Sequence, residues 1–114
     1  MAQFKYADLS AHEEGDSYNF VINYDIDFQD FEKLILWELT LKFYERDIIR
    51  NDLKRVINKT IDPKNLIKRI EESIRKEDLK TEPGDEEYFV KIKLSPTQLP
   101  SKDSIITNKT ELDI

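Results

Sequence analysis

Two alternating apolar runs separated by a long, strongly apolar stretch predict an α+β domain: a small antiparallel sheet of about three strands in the order ββαααβ, helices packed on one face, and a flexible C-terminal tail. The runs are SYNFVINYDI at 17–26 and EYFVKIKL at 87–94. Between them, apolar residues recur at spacings of three and four from Phe28 onward. A length of 114 residues suits one domain, placed over residues 1–94, with 95–114 as the tail.

In the first run Tyr18, Phe20, Ile22, Tyr24 and Ile26 share one face, and Asn19, Val21, Asn23 and Asp25 share the other. Period two with aromatic and β-branched residues is the pattern of a half-buried strand. Phe4 and Tyr6 supply a shorter partner strand, and HEEGDS around Gly15 supplies the reversal. Asp27 then stands as a helix N-cap with Asp30 three residues on, in the place of a capping-box acid.

From Phe28 to Ile49 one helical stripe runs Phe31, Leu34, Leu41, Tyr44 and Ile48, and Ile35, Leu36, Trp37, Leu39 and Phe43 widen the apolar arc well beyond one face. Asn51 caps a continuation through Leu53, Val56 and Ile57 to about Lys59; a single unbroken helix over 28–59 is the alternative. Asp62-Pro63 opens another helix, with Leu66, Ile67, Ile70 and Ile74 as its buried stripe. Pro83 and Gly84 mark a turn over Lys80–Glu86. In the last strand Tyr88, Val90, Ile92 and Leu94 point inward and Phe89, Lys91 and Lys93 outward. The tail from Ser95 carries two prolines and little periodicity.

Composition narrows the chemistry. With no cysteine, disulfides, thiolate metal sites and cysteine nucleophiles are excluded, and one histidine, His12, cannot build a multi-histidine metal site within one chain. The two glycines, Gly15 and Gly84, are too far apart for a phosphate-binding loop or a dinucleotide fingerprint. No basic region followed by an apolar run opens the sequence, and no apolar stretch approaches the ~20 residues of a membrane span. A cytoplasmic, non-membrane, non-enzymatic protein with no cofactor is the expectation, and the Asn-Lys-Thr triplets at Asn58 and Asn108 are then fortuitous glycosylation matches.

Charged residues make up 37% of the chain against a usual ~25%, and they are unevenly spread. Residues 1–49 hold 4 basic and 11 acidic groups, 50–80 hold 10 and 6, and 81–114 hold 4 and 7, for a net charge of −6. An acidic surface steers a protein toward a basic partner. The first functional expectation is therefore a small acidic protein-binding module of the inhibitor, immunity-protein, antitoxin or adaptor kind, by analogy of size and charge alone. It would act through an acidic surface (Glu13, Glu14, Asp16, Asp85, Glu86, Glu87), a sheet edge, or the broad helix carrying Trp37, Phe43 and Tyr44, with a homodimer as a variant. The alternative is a nucleic-acid-binding regulator using basic helices over 50–80, where Lys64, Lys68, Arg69 and Arg75 would gather phosphates.

Two catalytic arrangements trail these. Asp25 and Asp27, on alternate strand residues, share a face suited to a hard cation such as Mg²⁺, although acids just before a helix also serve its dipole. His12 beside Glu13, Glu14 and Asp16 is an acid/base couple only if its loop is walled off from water. The EPGDEE run fails nuclease spacing, because Lys91 comes four positions after Glu87 where Glu-x-Lys is required.

Overall fold

A glycine turn sets the first register. Gly15 has φ +58°, the left-handed conformation that glycine adopts without a Cβ clash, and it folds β1 (Gln3–Glu14) onto β2 (Ser17–Asp27) from Glu14↔Ser17 to Gln3↔Asp27. Tyr18, Phe20, Ile22, Tyr24 and Ile26 are buried on one face of β2, as their alternation predicts. The other side of β2 pairs with β5 (Arg69–Arg75), closing a three-stranded antiparallel sheet of order β1-β2-β5. The computed structural model describes residues 2–46, 49–79, 85–97, 103–108 and 110–113.

A second antiparallel sheet lies against the first. Its central strands are β3 (Trp37–Glu45) and β6 (Asp85–Pro96), and β4 (Asp52–Ile61) flanks β3. β7 (Asp103–Ile106) and β8 (Thr110–Asp113) pair in succession along the free side of β6, Leu94↔Asp103 through Lys91↔Ile106 and then Tyr88↔Thr110 through Asp85↔Asp113. They act as one interrupted edge strand. At the interruption Thr107 keeps contact with β6: its N–H donates to the Val90 carbonyl (2.8 Å) and its Oγ1 accepts from the Val90 N–H (2.8 Å).

The inner faces meet in an apolar core. Phe20 of β2 packs edge-on against Phe43 of β3 (centroids 5.5 Å apart) and Tyr88 of β6 (6.2 Å), so one ring ties three strands of two sheets. Leu39, Leu41, Ile74, Ile92 and Leu94 are fully or almost fully buried around it. Both seams of this sandwich are bridged by side chains. On one, Asn108 uses its whole amide, Oδ1 accepting from the Leu9 N–H (2.7 Å) and Nδ2 donating to the Leu9 carbonyl (3.0 Å). On the other, Arg55 of β4 pairs with Glu72 of β5 (3.2 Å) and donates to the Ser73 carbonyl (3.1 Å).

The expected α+β architecture is overturned: the molecule is predominantly β, in two packed antiparallel sheets, with one single-turn helix at Lys76–Leu79 among the described residues. The first and third predicted helices are each replaced by a 3-10 turn and a strand, and the second by a strand alone. The helix expected from Phe28 is a 3-10 turn at Asp30–Leu34 followed by β3. Its cap lies at Gln29, whose N–H donates to the Glu32 carboxylate (2.8 Å), two residues beyond the expected Asp27. The other Glu32 oxygen accepts from the Ala2 N–H (2.7 Å), and the Glu32 carbonyl accepts from the Trp37 indole (2.9 Å), so this turn anchors the start of β1 and of β3.

The continuation expected from Asn51 is β4, and both the broken and the unbroken helix over 28–59 are excluded by the pairing of β3 with β4. Asp62-Pro63 does open a turn, the Asp62 carboxylate accepting from the Lys64 N–H (3.0 Å), but it lasts only Pro63–Asn65 and leads into β5. Part of the expected flexible tail is the paired edge β7–β8; of the turn expected over 80–86, Asp85 and Glu86 belong to β6, while 80–84 and Ile48 lie outside the described residues. No helix of the described residues is long and apolar enough to cross a membrane.

Candidate functional site

The outward faces of the two sheets differ in how their charges are satisfied. On and around the first sheet cations are matched with anions. Asp25 takes Lys68 (3.2 Å) and Lys5 (3.7 Å), Arg69 takes Glu71 (3.5 Å), Arg75 takes Glu77 (3.2 Å), and Lys76 takes Glu13 (2.6 Å). Burial pushes the Asp25 carboxyl up, but the Lys68 hydrogen bond, the Ile26 N–H and the two lysine charges outweigh it and hold the group below the usual carboxylate range. Glu13 is likewise held low, by its hydrogen bond and charge interaction with Lys76.

The outer face of the second sheet is built otherwise. One row of directly opposed residues crosses four strands: Val56 of β4, Lys42 of β3, Lys91 of β6 and Ile106 of β7. Lys93 stands two residues along β6 from Lys91 and opposite Thr40. Among the described residues Lys42, Lys91 and Lys93 enter no ion pair. Among the described side chains the acids of this face stand toward its two ends, Glu38 opposite Ser95 and Glu87 held by Arg46 (3.1 Å). The next row is Leu53, Tyr44 and Phe89, with the Tyr44 and Phe89 rings stacked at 5.3 Å and 17°.

A bulge produces this apolar neighbourhood. The β3–β4 register shifts between Phe43 and Tyr44, so that Phe43 faces Arg55 while Tyr44 faces Leu53, and Lys54 is the extra residue. Leu53 and Val56, three apart in sequence, thereby reach the same outer face, where they are 47% and 44% exposed; Ile106 at the far end of the row is 59% exposed.

The predicted partner-binding residues do not converge. Trp37 and Phe43 are core residues, 5% and 2% exposed, which corrects their expected place on a broad docking helix. Tyr44 alone of the three aromatics reaches the outer surface, half-buried on Phe89. Glu13, Glu14 and Asp16 surround the β1–β2 turn, and Asp16 accepts the Lys76 N–H on its carbonyl (2.8 Å). Asp85 and Glu86 start β6 opposite Asp113 and Leu112, and Glu87 pairs with Arg46 through both backbone and side chain.

The predicted basic helices are also corrected: Lys64 lies on a 3-10 turn, Lys68 precedes β5, and Arg69 and Arg75 are the two ends of β5. Lys68, Arg69 and Arg75 are each paired with an acid. Asp25, expected to share a cation with Asp27, has its carboxylate turned to two ammonium groups, and the described residues hold no cluster of three or more metal-ligating side chains. His12 is exposed on β1, opposite Asn19.

A cleft of about 390 Å³ opens between the end of β4 and the start of β5, lined by Tyr24, Lys59, Ile61, Ile67, Arg69 and Glu71 among others. Several of its polar groups are committed. The Tyr24 hydroxyl donates to the Ile67 carbonyl (2.7 Å) and Arg69 pairs with Glu71. Among the described residues one lining cation, Lys59, enters no ion pair, against three on the outer face of the second sheet, so the lysine face is the stronger candidate.

The residues that form this face were only partly visible in the sequence. Alternation in EYFVKIKL already sends Phe89, Lys91 and Lys93 outward. Lys42, Leu53, Val56 and Ile106 were missed because the first three were placed on helices and the last in a tail. No protein-family model and no curated protein matches the sequence.

Proposed function

We propose that this chain is a non-enzymatic protein-binding module that holds its partner on the outer face of the second sheet. The observation that carries this is the uncompensated lysine group, Lys42, Lys91 and Lys93, set among exposed aliphatic side chains on a chain whose net charge is −6. Like charges directly opposed across strands destabilise a sheet, so the arrangement works against the isolated fold and suits an anionic occupant. Sheet-edge capture is a weaker route, because Asn108 and Arg55 occupy backbone groups of β1 and β5 at the seams. The cysteine-free composition accords with a cytoplasmic setting.

The test is affinity capture from native lysate by the tagged protein and by Lys91→Glu, each with and without nuclease. A protein that the parent retains after nuclease and the variant loses is the expected result. Equal capture by both, or partners that vanish with nuclease, overturns the proposal; the second outcome transfers it to nucleic acid.

A further inference from the structure

Resting on that reading of the face, we infer that its occupant is an acidic amphipathic helix laid across the strands, with aliphatic residues at i and i+10 and carboxylates at i+3 and i+7. The row Val56, Lys42, Lys91, Ile106 reads aliphatic, cation, cation, aliphatic. Strands lie ~4.8 Å apart, so the row is ~14 Å long. A helix rises ~1.5 Å per residue, and its positions i, i+3, i+7 and i+10, which share one face, span ~15 Å. The two patterns therefore coincide in length and order. Lys93, ~6.7 Å along β6 from Lys91, lies within reach of a further acid on the neighbouring turn of such a helix.

Other occupants fit the face less well. A single-stranded nucleic acid needs free aromatic faces for its bases, but Tyr44 and Phe89 stack on each other and Phe89 is only 7% exposed. Phosphates also leave Val56 and Ile106 uncovered. A second copy related by a two-fold axis through this row presents the same surface to itself, setting lysine groups against lysine groups.

The experiment measures, by fluorescence anisotropy at physiological salt, binding of a helical peptide with Leu at i and i+10 and Glu at i+3 and i+7. Its controls are the peptide with both Glu replaced by Gln and an isomer with Leu and Glu exchanged. Binding to the first, weakened about tenfold or more in each control and in Lys91→Glu protein, is the expected result. Lys91→Glu replaces a like-charged pair with an opposite-charged one, so the loss comes with an intact fold, checked by its melting temperature. Equal binding of the exchanged isomer, or unchanged binding by Lys91→Glu, overturns the inference.

Tighter binding of oligo-dT or of phosphatidylserine vesicles than of the peptide also overturns it, as does a concentration-dependent dimer that Lys91→Glu dissolves. Failure of the peptide while lysate capture still depends on Lys91 refutes the helix and leaves the face as the binding surface. Capture that ignores Lys91 refutes the face itself.

Discussion

Lys42 and Lys91 stand directly opposite each other on β3 and β6, both on the outer face, and neither has an acidic partner among the described residues. Elsewhere on the molecule lysines and arginines mostly find carboxylates within 4 Å, as Lys68 finds Asp25 and Lys76 finds Glu13. Lys91→Glu should therefore raise the stability of the isolated protein, by about 0.2–1 kcal/mol for an opposite-charge cross-strand pair. Urea denaturation at low and high salt checks it. A gain that shrinks with salt is expected, and a loss of stability would contradict the local repulsion.

Asn108 closes one seam by bonding both backbone groups of Leu9. Asn108→Ala leaves that N–H and C=O to water or to nothing, at a cost of about 1–3 kcal/mol. Amide hydrogen exchange gives the sharper readout. The Leu9 amide should lose protection while amides at the β2–β5 pairing keep theirs, and unchanged Leu9 exchange would show that the amide bridge does not hold the seam.

Tyr24 supplies a pH dependence. Burial, with the Asp25 charge beside it, pushes its phenol from 10.0 up to about 12. A phenol whose folded value lies above its unfolded one stabilises the fold fully below the unfolded value. That contribution is lost as pH rises from about 10 through about 12. Denaturation midpoints should fall across this window in the parent and fall less in Tyr24→Phe. At neutral pH the same variant loses the hydroxyl bond to the Ile67 carbonyl, about 0.5–1.5 kcal/mol. Parallel pH profiles for the two proteins would remove Tyr24 as the source.

Gly15 carries the only positive φ among the described residues, and a Cβ placed there meets nothing within 4 Å. Substitution costs are then conformational and not steric. Gly15→Val should lose ~1–2 kcal/mol, and Gly15→Asn clearly less, because asparagine tolerates the left-handed region. Equal losses in thermal melts of the two variants would contradict this.

Parts of the fold could be read directly. β2 and the reversal at Gly15 were legible because alternation, aromatic content and the glycine agree, but β1 runs over Gln3–Glu14 and is not the shorter strand expected around Phe4 and Tyr6. β6 was legible for the same reason of strict alternation, including the outward direction of Lys91 and Lys93. β3 was misread although Trp37, Leu39, Leu41 and Phe43 alternate too. Alternate residues step by about 200° on a helical wheel, so a buried strand flanked by other apolar residues mimics a helix apolar on all sides. The excessive width of the apolar arc was the signal that period two, not 3.6, governed this stretch.

Two further misreadings have local causes. Ile70 and Ile74 of β5 are four apart, a spacing that keeps one face in a helix and in a strand alike. Leu53, Val56 and Ile57 imitate helical spacing because the bulge at Lys54 resets the alternation of β4.

The sequence by itself determined the absence of thiolate chemistry and phosphate loops, the acidic balance, β2 with its reversal at Gly15 and the inward face of β6, since each depends on residue identity or on neighbours close along the chain. Only the tertiary structure decided that the ambiguous segments are strands. β5 takes its form from β2, some 50 positions earlier, and β4 from the bulged pairing with β3, because a strand's hydrogen bonds lie outside itself. The same long-range pairing brings Lys42 opposite Lys91 across 49 residues of chain, with Val56 and Ile106 at the ends of their row.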